Sequence, residues 1–289
     1  MKFAINYSTP FYGTDPDRIA AYAAHAEACG FEAFYLPDHV VLYPGAAFGA
    51  AEIPPTLPFL DPLDVLSFVA ASTERIVLGT GVLLLPHRNP VILAKRLATV
   101  DVLSKGRMRL LTVGIGSLAG EAAGVGLDFT TRGRRADEAI DVLRLLWSGD
   151  EEGVSYHGDF YDFDRLCSYP KPLGGAQLPI HVGGSSLAAA RRAGRRGDGY
   201  FPGGMLSRQD RATQMDLARA AAAEAGRDPA ALEFTCWGSI EMTVEQAETL
   251  AGQGMTRVVV APTSTDPAEQ HEQMSAFAER FGLLADSAG

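Results

Sequence analysis

Ile76-Val77-Leu78-Gly79-Thr80-Gly81-Val82-Leu83-Leu84-Leu85 runs into Pro86-His87-Arg88, and then into Asn89-Pro90-Val91-Ile92-Leu93-Ala94-Lys95. The first ten residues carry no charge and read as a strand buried on both faces. Asn89-Pro90 reads as a helix N-cap followed by proline at the first helical position, where its missing N–H costs nothing. From Pro90 to Leu103 the apolar residues recur at three- and four-residue spacing, the period of a helix. The stretch is therefore one β-then-α unit.

The same unit repeats along the chain. Strand patterns occupy Phe3–Tyr7, Ala33–Pro37, Ile76–Leu85, Arg109–Val113, Pro179–Val182, Gly199–Pro202, Glu233–Ile240 and Arg257–Val260. Helical patterns fill the intervals: Asp15–Cys29, Asp61–Ser72, Pro90–Leu103, Arg132–Trp147, Ser186–Arg196, Arg208–Glu224, Val244–Gly252 and Pro267–Phe281. Asp15-Pro16 and Asp61-Pro62 repeat the capping device, and Gly30 stands where a helix C-terminal glycine belongs. Strands separated by helices must pair in parallel, since a parallel neighbour needs a crossover. Eight of them predict an α/β fold closed into a (β/α)8 TIM barrel, one domain over residues 1–289; an open doubly wound sheet is the alternative.

Composition agrees with such a barrel. The 289 residues are 47% apolar and 21% charged, enough for a large core without disulfides or metals. The net charge of −10 repels phosphate backbones and anionic lipid, which argues against nucleic acid or a membrane surface as partner. No apolar run approaches a membrane span, and Met1-Lys2-Phe3-Ala4-Ile5 enters a strand at once, without a secretory leader pattern. Cys29, Cys167 and Cys236 are scattered and form no CxxC pair; they read as thiols of a reducing, cytoplasmic protein.

Two segments exceed a minimal barrel. His39–Leu60 is apolar and rich in Gly and Pro. Gly149–Ala176 contains Val154–Tyr161, which reads as a hairpin around a Gly158-Asp159 turn. Inserted loops of this length in a compact domain are commonly lids, and their aromatic content favours that reading.

The active site of an α/β barrel lies beyond the C-terminal ends of its strands. The residues there are Asp38-His39, Gly81-Val82, Gly114-Ile115-Gly116-Ser117, Gly183-Gly184-Ser185-Ser186 and Gly203-Gly204. Any one glycine pair is an ordinary turn. Several at one end let backbone N–H groups approach an anion or a flat ring, with helix N-termini behind them. Gly114-x-Gly116 lacks the third glycine and acidic partner of a dinucleotide fingerprint. His39 is placed to move a proton, with Asp38 beside it to orient it; the alternative is a structural pair capping the loop. His87 reads as part of the loop leading into the helix, and His181 as barrel filling. His25, His157 and His271 have no companions, no metal-ligand spacing appears, and no G-x-S-x-G elbow is present.

The run Glu27-Ala28-Cys29-Gly30-Phe31-Glu32-Ala33-Phe34-Tyr35-Leu36-Pro37-Asp38-His39 resembles the second unit of luciferase-like monooxygenases. So do Leu78–Leu83, Asn89–Lys95, Leu103-Ser104-Lys105-Gly106-Arg107, Gly114-Ile115-Gly116, Glu121, Arg132-Gly133, Asp137-Glu138, Leu146-Trp147, Pro170-Lys171-Pro172, His181–Gly184 and Gly197–Tyr200. The likeness covers roughly residues 1–205 and is weaker beyond. The Asp38-His39 pair is most similar to the branch that uses the deazaflavin coenzyme F420, with FMN the alternative cofactor. The resemblance implies that His39 transfers a proton beside the ring. It also implies a non-proline cis peptide at Gly81-Val82 behind the ring, and a cofactor path along Gly114, Gly116, Gly183, Gly184, Ser185, Gly203 and Gly204, with Asp38 at its edge. Ser117 replaces the tryptophan or glutamate common there, which argues against a sugar phosphate as substrate.

Three functions follow as expectations: hydride exchange between F420 and an apolar small molecule, a flavin monooxygenase, or a cofactor-binding barrel without catalysis. The sparsely charged surfaces of Leu63–Ser72 and Val91–Leu103 suggest a homodimer.

Overall fold

The computed structural model of the chain describes residues 1–175, 178–203 and 206–283. Its elements run β1 (Lys2–Asn6), α1 (Thr9–Tyr12), α2 (Pro16–Ala28), β2 (Ala33–Leu36), β3 (Ala47–Phe48), β4 (Ala51–Glu52), α3 (Pro62–Ser72), β5 (Val77–Leu84), α4 (Pro90–Leu103), β6 (Met108–Gly114), α5 (Ala119–Gly124) and α6 (Arg132–Ser148). They continue β7 (Val154–His157), β8 (Asp162–Leu166), β9 (Ile180–Gly183), α7 (Leu187–Arg196), β10 (Gly199–Phe201), α8 (Arg208–Glu224), β11 (Glu233–Trp237), α9 (Val244–Gly252), β12 (Arg257–Val260) and α10 (Pro267–Phe281).

Eight strands close into a barrel in the order β1-β2-β5-β6-β9-β10-β11-β12, and every pair is parallel. The open sheet is thereby excluded. All eight expected strands are present, most within one residue of their expected ends. Glu233–Ile240 is the exception: the strand stops at Trp237, although the Gly238 amide still donates to Val259 O at 2.9 Å. The extra segments carry hairpins of their own, β3–β4 within His39–Leu60 and β7–β8 within Gly149–Ala176. Helices α1 and α5, short and uncapped by any side chain, escaped the reading of periodicity.

Capping behaves as the sequence suggests. Asp15, Asp61 and Asn89 accept backbone N–H groups at 2.9 Å, each ahead of a proline that begins α2, α3 or α4. The corner between α3 and β5 is closed by two charges. The Glu27 carboxylate accepts the amides of Glu74, Arg75 and Ile76 at 2.6–3.1 Å. The Arg107 guanidinium donates to the carbonyls of Ala70, Thr73 and Ile76. Together they satisfy the polar groups that the end of α3 leaves open.

Two apolar layers form the core. The larger lies between strands and helices and includes Trp147, whose indole N–H donates to Ala94 O at 3.2 Å. The smaller fills the barrel with Ala4, Ala33, Tyr35, Leu110, Phe201 and Val259. Below it Arg257, 1% exposed, pairs with Glu32 and Glu233. His181 sits there as well, buried as expected; burial and the neighbouring Arg257 charge pull its pKa down to about 4, so it stays neutral. The N-terminal end is charge-paired around a cavity of about 290 Å³ lined by Glu32, His181, Glu233 and Arg257, and a larger one, of about 440 Å³, lies at the opposite end.

Burial alone would raise the Glu27 carboxyl, but the Ile76, Arg75 and Glu74 amides outweigh it and hold it below the usual range. Its contribution is therefore present at neutral pH and lost as pH falls through the lowered folded value. Glu27→Gln should cost about 1 kcal/mol at pH 7, given its partial exposure. Urea denaturation should show the gap to wild type closing toward pH 3; a gap that is constant with pH would contradict this assignment.

Candidate active site

The floor of the open end is built by one side chain from β5. The Gly81-Val82 peptide is cis, as the resemblance implied, and the β5–β6 register shifts there. Val82 leans across two neighbouring strands. A β-carbon on Gly114 of β6 would lie 2.5 Å from Val82 Cγ2, and one on Gly183 of β9 would lie 2.4 Å from Val82 Cγ1. Neither distance is attainable, so both positions must be glycine if Val82 is to sit there. Beneath the bulge, Tyr35 lies 3.1 Å from where a Gly81 β-carbon would be. The sequence alone suggests that these glycines give a ligand room to approach the backbone. Their packing reason is the Val82 side chain.

Above this floor lies a cavity of about 440 Å³. It is lined by His39, Asp38, Gly81, Val82, Gly114, Gly116, Gly183, Gly184, Ser185 and Gly203, which are the residues singled out from sequence. Gly204 lies outside the described residues. Ser117 lines it too, as do Phe48 from the β3–β4 hairpin, Ile115, and Arg192 from α7. Gly184 takes φ +114°, which L side chains rarely adopt, and Ser186 then caps α7 through Ala189 N at 3.1 Å. The α7 N-terminus thus sits at the cavity wall, a position that favours negative charge. Arg192 supplies no free charge: Asp137 holds its guanidinium at 2.6 and 3.3 Å, and it also donates to Gly133 O.

His39 is oriented by Glu121, not by Asp38. Its Nδ1 stands 3.1 and 3.3 Å from the two Glu121 oxygens, and Glu121 also accepts Val40 N at 2.7 Å. Asp38 turns the other way, toward Arg88. Its carboxylate takes Arg88 at 2.8 and 2.9 Å and Leu84 N at 2.9 Å. The expectation that Asp38 orients His39 is therefore corrected. Asp38 instead anchors the lid: Arg88 also donates to Asp61 at 2.9 Å, so one guanidinium ties both ends of the 39–60 segment.

Glu121 is fully buried. Burial would raise its carboxyl, but the hydrogen bond and charge of His39, the Val40 amide and the charge of His87 together hold it below the usual range. An ionised Glu121 accepts the Nδ1 proton of His39, so Nε2 is the nitrogen left for the cavity. Phe59 meets the His39 ring edge-on at 4.7 Å and Phe48 at 5.5 Å, enclosing it in apolar surface. The lid itself rests on α5: Ala46 and Ile53 pack with Leu118, and the Tyr43 hydroxyl accepts Gly120 N at 3.2 Å. Among the described residues no cluster of His, Cys, Asp and Glu is arranged to hold a metal ion.

A closed parallel barrel with a glycine-floored cavity at its C-terminal end and a carboxylate-held histidine beside it defines an α/β-barrel enzyme class. The chain belongs to the luciferase-like monooxygenase family, which it matches over residues 1–282. It is 34% identical over 205 residues to an F420-dependent glucose-6-phosphate dehydrogenase of Microbacterium testaceum, covering 70% of this chain and 56% of that protein. The chain thus spans little more than half the length of that curated relative. Its fold is similar to that of the monooxygenase RslO1 from Streptomyces bottropensis (TM-score 0.79, 22% identity, both chains fully covered). It is also similar to the coenzyme F420-dependent tetrahydromethanopterin reductase of Methanopyrus kandleri (TM-score 0.77, 18% identity, 96% and 97% covered). No helix among the described residues is long and apolar enough to cross a membrane.

If the floor is set by the Val82 interlock, Gly183→Ala should destabilise the protein by about 1–3 kcal/mol, the usual cost of overpacking. Val82→Ala in the same chain should recover most of that loss. A urea-denaturation double-mutant cycle measures it; strictly additive effects would refute the interlock.

Proposed function

We propose that the protein is an oxidoreductase that exchanges a hydride between coenzyme F420 and an uncharged, apolar small molecule. The observation that carries this reading is the His39–Glu121 pair, which leaves Nε2 facing a cavity floored by Val82 and rimmed by backbone. Glycines 114, 116, 183 and 184 give a flat ring close approach to main chain, and the α7 N-terminus with Ser185 and Ser186 suits an anionic tail. When bound, F420 supplies a ring carbon that accepts or donates the hydride. The chain's own residues do the remainder. With the coenzyme bound, Val82 would support the ring from below and His39 Nε2 would hold or deliver the proton that accompanies transfer, while Glu121 fixes the imidazole and Phe48 and Phe59 would keep water away.

The substrate reading follows from charge. Among the described lining residues Arg192 is the one guanidinium or ammonium group, and Asp137 neutralises it. A sugar phosphate would find no free cation, although the Microbacterium relative is named for one. Val82, Leu84, Ile115 and Phe48 suit an apolar alcohol, ketone or enone instead. On the outer surface, Phe68 of α3 and Ile92 and Leu103 of α4 are 43%, 63% and 61% exposed. We read this face as the contact of a homodimer, for which light scattering at micromolar concentration should return twice the chain mass.

Fluorescence titration with F420 and with FMN tests the cofactor. F420 should bind more tightly; equal or reversed affinities would favour the flavin monooxygenase. His39→Ala should leave the F420 dissociation constant nearly unchanged while lowering the single-turnover rate about 100- to 10,000-fold. Weak binding with normal turnover at saturation would contradict the role given to His39.

A further inference from the structure

Asn6, the last residue of β1, is a polar side chain at the barrel mouth to which the reaction above assigns no task. It faces into the barrel. Ala4 on the same strand and Tyr35, its partner in the β1–β2 register, both belong to the interior cluster, while Ile5 and Tyr7 on either side of it pack in the outer layer. Asn6 is 9% exposed, and its Oδ1 is buried without a partner among the described residues. Its main chain is already secured: the Tyr22 hydroxyl donates to Asn6 O at 3.0 Å, and the next amide, Tyr7 N, donates to Tyr35 O at 2.9 Å. The side chain is thus not needed to hold the strand. A buried carboxamide oxygen left without a donor costs free energy, so few persist in native proteins.

The position of Asn6 joins it to the cavity. Tyr35 lies 3.1 Å from where a Gly81 β-carbon would stand, and Gly81 and Pro37, the second residue after Tyr35, both line the cavity. The lid comes down on the segment that follows β1. There Thr9 Oγ1 donates to Pro58 O at 2.7 Å and accepts Leu60 N at 3.4 Å, on either side of the Phe59 whose ring meets His39. Asn6 therefore stands at the foot of the lid, on the strand next to the one that leads to His39. The strand ends that wall the cavity are those of β2, β5, β6, β9 and β10; the remaining arc, β11, β12 and β1, carries Trp237 and Asn6 at its ends. Trp237 is 38% exposed and contacts Phe201 at 5.1 Å, and Phe201 Cε1 is 3.7 Å from the same Gly81 position. Apolar surface thus continues from the floor to Trp237.

We propose that Asn6 determines specificity: its carboxamide binds an uncharged hydroxyl or carbonyl oxygen of the substrate, remote from the carbon that reacts, while Trp237 covers the substrate's apolar body. A carboxamide offers N–H donors and an oxygen acceptor together, which suits a hydroxyl or a carbonyl. A carboxylate or phosphate would meet the amide oxygen with no cation to balance it. The substrate class narrows from apolar alcohols, ketones and enones to those that carry a second oxygen. This deepens the function proposed above and rests on it for the place of the reaction, not for the identity of the coenzyme.

The test compares two probes on the whole protein, loaded with whichever of F420 and FMN it binds and also free of both. 4-Hydroxycyclohexanone carries the second oxygen and cyclohexanone lacks it. By ligand-observed NMR, wild type should bind the hydroxyketone about fivefold more tightly than the ketone. Asn6→Leu, close in volume, and Asn6→Ala should each abolish that preference while leaving cyclohexanone binding and the coenzyme dissociation constant unchanged. A residue that only supported the strand would lower stability instead and keep the preference. Equal affinities in wild type, no binding of the hydroxyketone, or a preference that survives in a folded variant would overturn the proposal. If both variants fail to fold, wild-type crystals soaked with the hydroxyketone decide: its hydroxyl should lie within hydrogen-bonding distance of the Asn6 amide, and a hydroxyl bound elsewhere overturns the assignment. Failure of the function proposed above would appear separately, as weak F420 binding or unchanged turnover in His39→Ala, with the probe preference intact.

Discussion

The volume occupied by the Val82 side chain is the constraint from which the rest of the site follows. Its two methyl groups fill the places where β-carbons on Gly114 and Gly183 would stand, so three strands, β5, β6 and β9, meet through one residue. The result is a floor of methyl groups and main chain. Tyr35 fills the barrel directly below, edge-on to Phe201 at 6.0 Å, and Phe201 in turn contacts Trp237 at 5.1 Å near the mouth. The cavity is the part of the barrel above that packed layer, and its depth is set by it.

Charge arranges what stands over the floor. Arg88 joins Asp38 to Asp61, so the two ends of the lid are fixed to a single guanidinium and the aromatic residues between them are held over His39. Glu121 takes both the His39 ring and the Val40 amide, which fixes the first residues of the lid and the imidazole together. Each buried carboxylate thereby has its own partner. A buried carboxylate left alone would be costly, which ties the lid's placement to the site's electrostatics.

The barrel was legible in the sequence because its signals are local. Uncharged runs such as Ile76–Leu85 mark strands covered on both faces, and Asp-Pro and Asn-Pro pairs mark helix starts. The cavity residues were legible by position, since the fold fixes which strand ends converge. The His39–Glu121 pair was not, because its members lie 82 positions apart and meet only after β2 and α5 are brought together across the mouth. Adjacency misled at Asp38: the carboxylate beside His39 in the chain is taken by Arg88 and not by the imidazole. Helix α5, six residues without a capping side chain, gives no periodic signal, so its role as the lid's support emerged only in three dimensions.

The central claim is that a flat ring rests on Val82 with His39 at its edge. A crystal structure of the protein soaked with F420 tests it most directly. The account predicts the deazaflavin ring stacked over the Val82 side chain between Gly114 and Gly183, with His39 Nε2 within hydrogen-bonding distance of the ring system or of a bound substrate and Nδ1 still on Glu121. A ring bound elsewhere on the barrel, or one that turns His39 away from Glu121, would contradict it.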